Sequence, residues 1–177
     1  WKSGRQKINA DSLTADDEAF YGQELRPQIA YPLTEQLYEL WMERARVAMP
    51  PHRSAFDPID LRLWIGQLSI WDRVDDERKY VCRIYGSRLV DWVGREMTGQ
   101  PVTQYPHGLG VSIQAQFDLM CTLEQPVLVK VNSPVLDEDV PKGKDTRIEK
   151  LLLPLTRSGK KVDCVLNWYV YSGADDY

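Results

Sequence analysis

Residues 68–99 constrain the fold more tightly than any other stretch of this chain. Leu68 to Val74 is a mostly apolar run of strand length, Asp75, Asp76 and Glu77 form a polar break, and a second run from Lys79 to Tyr85 is closed by Gly86. Two such runs joined by a short polar turn predict an antiparallel hairpin. Directly after it the period changes. Leu89, Val90 and Val93 fall at helical spacing, which predicts a short helix over 87–93 ended by Gly94, with a further turn at Thr98 and Gly99. A lone hairpin is marginal in water and needs more sheet. The C-terminal third supplies it.

Three further runs read as strands: 127–131, 147–155 and 162–171, the last two joined by a turn at Gly159. The final run alternates Val162, Cys164, Leu166, Trp168 and Val170 against a more polar set, so one side faces a core. Between hairpin and final strands, residues 111–123 predict a helix with Ile113, Phe117, Met120 and Cys121 on one face. Residues 132–146, with Pro134, Pro141 and Gly143, predict an exposed, mobile loop that could cover a sheet edge. Upstream, Leu37, Leu40 and Trp41 stripe a helix over 34–47 that Thr34 would cap. Their apolar face predicts packing on the core or on a second subunit. Asp57 and Pro58 are placed as N-cap and first helical residue of another helix ending near Gly66. Residues 1–32 are polar and predict a weakly ordered arm, leaving 33–177 as a single domain. The expected class is α+β: a five-stranded antiparallel sheet with helices across one face, plus N-terminal helices.

Charge and cysteine usage narrow the function. The chain has 177 residues, with 22 Lys and Arg against 26 Asp and Glu, a net charge of −4. That balance, without a dense basic run, argues against nucleic acid as a partner. No apolar run is long enough to span a bilayer. Cys82, Cys121 and Cys164 are scattered and odd in number, so they form neither a disulfide framework nor a metal motif, and they point to a reducing, cytoplasmic setting.

No catalytic constellation emerges. An enzyme would need His107 and Cys121 brought together in a cleft. His52 and His107 are the only histidines; without suitable partners neither forms a metal site. Gly94 and Gly99 bracket a helix-loop junction that lacks the spacing of a phosphate loop. Arg83 lies within a strand, where it would meet either a ligand carboxylate or an acid on a neighbouring strand. Aromatic residues Trp64, Trp71, Tyr85, Trp92, Phe117, Trp168 and Tyr169 are as suited to lining a cavity as to filling a core.

The order strand, strand, short helices, longer helix, three strands resembles a PAS domain. The correspondence extends to Trp41, the turn at Pro51 to Arg53, Asp57 with Pro58, the run Tyr80 to Gly86, and Gly94 through Gly99. In these the chain resembles a family of small PAS-like proteins common in alphaproteobacteria, which carry an N-terminal helical extension. That resemblance implies a non-enzymatic sensory or regulatory domain, often dimeric, with a small-molecule ligand in its core or a regulatory protein partner. The alternative is an interaction or dimerisation domain with a filled core. The resemblance names no cofactor, and the flavin-photosensor cysteine motif is absent. Residues that would then face a ligand are Arg83, Tyr85, Trp92, His107, Phe117 and Trp168. Asp57, Pro58, Gly86, Gly94 and Gly99 would shape the backbone, and Leu37, Leu40 and Trp41 would supply an interface.

Overall fold

A computed structural model describes residues 1–8, 17–131 and 148–171; the loop expected over 132–146 lies outside the described residues. The predicted hairpin is present as β3 (Leu68–Arg73) and β4 (Tyr80–Tyr85), paired antiparallel with a bulge between Ile70 and Trp71. β5 (Val127–Val131), β6 (Ile148–Leu155) and β7 (Cys164–Tyr171) are the three later strands. β7 pairs with both β6 and β3, which joins the two halves into one sheet.

The sheet has seven strands rather than five, in the order β1-β2-β5-β6-β7-β3-β4. The two additions come from the expected arm: β1 (Gly4–Lys7) and β2 (Glu18–Tyr21) pair with each other, and β2 extends the sheet past β5. Their signal is weak because they are four residues each and β1 is polar throughout. What holds β2 is neighbouring apolar surface. Ala19 and Phe20 are buried on opposite faces, across from Val129 and Leu128.

Both sheet faces are covered, not one. On one face α2 (Ser87–Val93) and α3 (Gly110–Leu123) bury Leu89, Ile113, Phe117 and Met120 against Trp71, Tyr80, Val129 and Tyr169. On the other, α1 (Pro32–Ala45) packs Leu37, Tyr38 and Trp41 against Leu151, Leu153, Leu166 and Trp168. Alternation along β7 explains the division: Val165 and Tyr169 point to the α3 side, and Leu166 and Trp168 to the α1 side. α1 starts two residues earlier than expected, with Pro32 in its first turn. Thr34 does not cap it. Its hydroxyl is buried and accepts from Trp168 Nε1 at 3.2 Å. Trp41 Nε1 donates to the Pro154 carbonyl at 3.0 Å. Leu37 and Trp41 are wholly buried within their own chain and Leu40 is half-buried, so the stripe packs on the core of its own chain.

The helix expected after Asp57 is instead a series of turns ending in a 3-10 turn at Ile65–Gln67. Asp57 still acts as a cap, its Oδ1 accepting from the Ile59 N–H at 2.7 Å. Leu61 and Trp64, three residues apart, are the buried anchors, and Trp64 Nε1 donates to the Leu33 carbonyl at 2.9 Å. The segment mixes i−4 bonds (Leu61 N–H to Asp57, Ile65 N–H to Leu61) with i−3 bonds (Trp64 N–H to Leu61, Gln67 N–H to Trp64), so no continuous helix forms. The chain then runs so close to the end of β4 that a Cβ on Gly86 would lie 2.3 Å from the Gly66 carbonyl oxygen. Gly94 caps α2 in the left-handed region at φ 74°.

Candidate functional site

Beneath α2 and α3, against the sheet, lies a cavity of about 30 Å³ whose more exposed wall, its mouth, is Trp92, Val93, His107 and Leu109. Its inner wall is Asp17, Ser112, Lys150, Tyr105 and Tyr169. Each is positioned by ordinary backbone geometry. Lys150 lies between Ile148 and Leu152 on β6, and period-two alternation turns all three toward α3. Its cross-strand neighbours are Val129 and Tyr169. Asp17 immediately precedes β2, where its carbonyl accepts from the Ile8 N–H at 2.9 Å. Ser112 and Gln116 lie one turn apart on α3. His107 stands in the left-handed region at φ 58°, within the tight turn Pro106–Gly108 that leads into α3.

The electrostatics of the inner wall are unusual for a core. Lys150 is 6 % exposed, and Asp17 and Gln116 are each 1 % exposed. The Asp17 carboxylate accepts from Ser112 Oγ at 3.0 Å and from Gln116 Nε2 at 2.8 Å, both on Oδ2. The other end of the same amide, Gln116 Oε1, accepts from Lys150 Nζ at 3.3 Å. The ammonium also lies 5.2 Å from the centre of the Tyr169 ring. An ammonium has three donors, and Lys150 uses one of them on a long bond. Burial pulls its pKa down to about 8, against the opposing influence of Asp17. The phenols of Tyr105 and Tyr169 are pushed well above their ordinary range, chiefly by burial. They stay protonated at neutral pH and can donate. Tyr85 sits one layer behind, its hydroxyl 2.9 Å from that of Tyr105.

The expected ligand-facing residues are therefore only partly together. Trp92 and His107 border the cavity. Tyr85 backs it through Tyr105. Phe117 is fully buried between Trp71 and Tyr80, with ring centres 5.7 and 5.2 Å away. Trp168 lies on the opposite face, under α1. Arg83 does not line the cavity. Its Nε donates to Asp72 Oδ2 on the neighbouring strand at 2.6 Å, the salt-bridge outcome. Asp72 is buried and also meets Arg157 at 2.9 Å and Arg53 at 3.5 Å. Beside those arginines His52 accepts from the Ser54 N–H and bonds the Arg157 carbonyl at 2.9 Å, a turn clamp. Cys121 is not part of the cavity wall that His107 borders. Its sulfur lies 3.5 Å from the Tyr80 hydroxyl, and burial raises its pKa. Burial likewise lifts the Cys82 and Cys164 thiols to about 12. All three cysteines are free and buried.

Sequence reading missed Lys150, Asp17, Ser112 and Gln116. A signal existed for the first: Glu149 and Lys150 are the only charges within an eight-residue strand that is otherwise apolar. Glu149 is accounted for on the α1 side by Lys130 Nζ at 2.7 Å and the Ala30 N–H at 2.9 Å. Among the described residues Lys150 has no ion-pair partner, only the neutral Gln116 amide. Asp17 carried no signal, because its place depends on a strand pairing more than a hundred residues away in sequence.

Among the described residues no cluster of His, Cys, Asp and Glu could hold a metal ion, and no helix is long and apolar enough to cross a membrane. No curated protein and no solved structure matches the chain. A family model for the PAS domain matches residues 29–169, which takes in α1, the whole of the sheet from β5 to β4 in spatial order, and every cavity residue except Asp17. On that match, and on the antiparallel sheet with α2 and α3 across one face, the chain belongs to the PAS domain family.

Proposed function

We propose that this protein is a non-enzymatic sensory or regulatory domain, working in a bacterial cytoplasm, that responds to a small molecule held between α3 and the sheet. The PAS family supports a sensory or regulatory role in general terms. The observation that carries the finer reading is Lys150: a buried lysine lining a cavity, its ammonium with one of three donors engaged among the described residues. Burying an under-paired charge costs several kcal/mol, on the order of 3–5 when a partner is missing. A ligand supplying acceptors would offset that cost, and its arrival would stiffen the contact between α3 and β6. Three buried free thiols are consistent with a reducing compartment.

The test is direct. The purified protein is weighed by native and denaturing mass spectrometry, its absorption spectrum is recorded, and its melting transition is screened against metabolites. A true ligand at a hundred times its Kd would stabilise the fold by about 2.7 kcal/mol. A spectrum without chromophore, equal masses and an unmoved transition across the screen would overturn the reading.

A second reading, a protein-interaction or dimerisation domain, is favoured by one feature. A groove of about 390 Å³ on the α1 side is lined by Leu61, Ile65, Ile70 and Ile84, with Arg53 and Arg157 at one end. Ile65 and Ile84 are both exposed, as are nearby Ile59 and Leu63, and apolar side chains gathered this way mark contact surfaces. In that reading Ile84→Asp would abolish partner binding or self-association without lowering stability.

A further inference from the structure

We propose that the groove on the α1 side takes an amphipathic helix of a partner protein, its apolar face on Ile65, Ile70 and Ile84 and one carboxylate on Arg53 and Arg157. This inference rests on the interaction reading above and names the partner's chemistry. α1 covers this sheet face over β6 and β7, where it meets Leu151, Leu153, Leu166 and Trp168. Over β3 and β4 no residue of α1 lines the groove; Ile70 and Ile84 come from the strands, and Leu61 and Ile65 from the turns beside them. Ile65 is 45 % exposed and Ile84 42 %, so apolar surface remains for a partner to cover. A sheet face that already carries one helix has room for a second in the same layer. A helix laid apolar side down in such a groove is a recurrent mode of recognition.

Charge says what that helix carries. Arg53 and Arg157 line one end of the groove, and among the described residues no acid lines it. Behind them the buried Asp72 carboxylate draws three arginines: Arg83 at 2.6 Å, Arg157 at 2.9 Å and Arg53 at 3.5 Å. Arg157 also meets Asp163 at 3.7 Å. Three guanidinium groups against two carboxylates leave one positive charge uncompensated, in a chain whose net charge is −4. Arg53 is the most loosely held. Its side chain is 40 % exposed, and its guanidinium makes one hydrogen bond among the described residues, the 3.5 Å contact with Asp72. A guanidinium fork binds a carboxylate through paired hydrogen bonds, and one surplus charge matches one Asp or Glu. A phosphorylated residue would set about two negative charges beside Asp72. A neutral segment would strip water from Arg53 and give it no acceptor, and a basic one would face like charge.

The probe is an end-blocked, fluorescein-labelled peptide with leucines at helical spacing and one glutamate beyond them, on a background of alanine and glutamine. Companion peptides replace the glutamate with glutamine or lysine, or scramble the leucines. Fluorescence polarisation with the full chain is the readout. The glutamate peptide should bind saturably, the glutamine peptide about tenfold more weakly, and the lysine and scrambled peptides not at all. Arg53→Gln should weaken the glutamate peptide about tenfold and leave the glutamine peptide unchanged. Ile84→Asp should abolish binding of both. Both variants should keep the circular dichroism and melting point of the wild type, which separates lost binding from lost folding. If the glutamine peptide binds as tightly as the glutamate peptide, or Arg53→Gln changes nothing, the acidic assignment falls, while binding lost in Ile84→Asp keeps the interaction reading. If no peptide binds but the chain self-associates in sedimentation and Ile84→Asp abolishes that, the occupant is a second copy and the partner helix falls alone. Peptide binding that survives Ile84→Asp overturns both, as does a chain that binds no peptide and stays monomeric.

Discussion

Replacing Lys150 with Met tests how the buried ammonium is held. Met keeps most of the side-chain length and removes the charge. In the folded protein burial lowers the Lys150 pKa from its ordinary 10.5 to about 8. Above about pH 10.5 the amine is neutral in both states and folding does not oppose it. As pH falls from about 10.5 to about 8 the unfolded chain takes up a proton that the folded chain does not, so stability is lost across that window, and below about 8 both states are protonated and the loss is complete. The full difference corresponds to about 3 kcal/mol. Asp17 is the charged group that acts on the amine, opposing the effect of burial. At neutral pH the substitution should also forfeit one hydrogen bond and the contact with the Tyr169 ring, together about 1–2 kcal/mol. Lys150→Met should therefore be about 1–2 kcal/mol more stable than wild type at pH 7. That advantage should shrink by about 2–3 kcal/mol by pH 10, so the order reverses. Urea denaturation of both proteins across that range measures the difference, and other titrations cancel in the comparison. A gap constant to within about 0.5 kcal/mol would refute the claim that Lys150 carries its charge inside a dry core.

Trp41→Ala should cost about 3–5 kcal/mol in urea denaturation, because the ring is wholly buried and the Pro154 carbonyl loses its donor. Gly86→Ala should lower stability by about 1–3 kcal/mol even though its φ of −65° suits any residue, since the new methyl would meet the Gly66 carbonyl. Asp72→Ala should cost about 1–3 kcal/mol by the same assay, less than a fully buried pair, because Arg53, Arg83 and Arg157 are each well exposed and can turn to water.

The parts of the fold legible in the sequence were those with strong local period. The hairpin of β3 and β4, the Gly94 stop and the apolar face of α3 follow from residues within a few positions of each other. What failed depends on distant partners. β1 and β2 are too short and polar to announce themselves, and exist because β5 offers an edge. Trp168 and Tyr169 are adjacent in sequence, so alternation must send them to opposite faces. Both faces turned out to be covered, which left composition unable to say which of the two met a cavity. Arg83 suited either a ligand carboxylate or a neighbouring acid, and only the pairing of β3 with β4 sets Asp72 beside it. Lys150 was the reverse case, a charge in an apolar strand that among the described residues forms no ion pair and bonds only the distant Gln116 amide.

The most direct measurement is a set of ¹H–¹⁵N correlation spectra of the labelled protein, recorded as each compound that raises the melting transition is added. Saturable shifts should concentrate at the cavity wall, around Trp92, His107, Ser112, Gln116, Lys150 and Tyr169, leave Trp41 and Trp168 on the far face unmoved, and vanish in Leu109→Trp. Spectra that stay unchanged, or shifts that instead gather around Ile65, Ile84 and the Asp72 arginines, would contradict a ligand seated on Lys150.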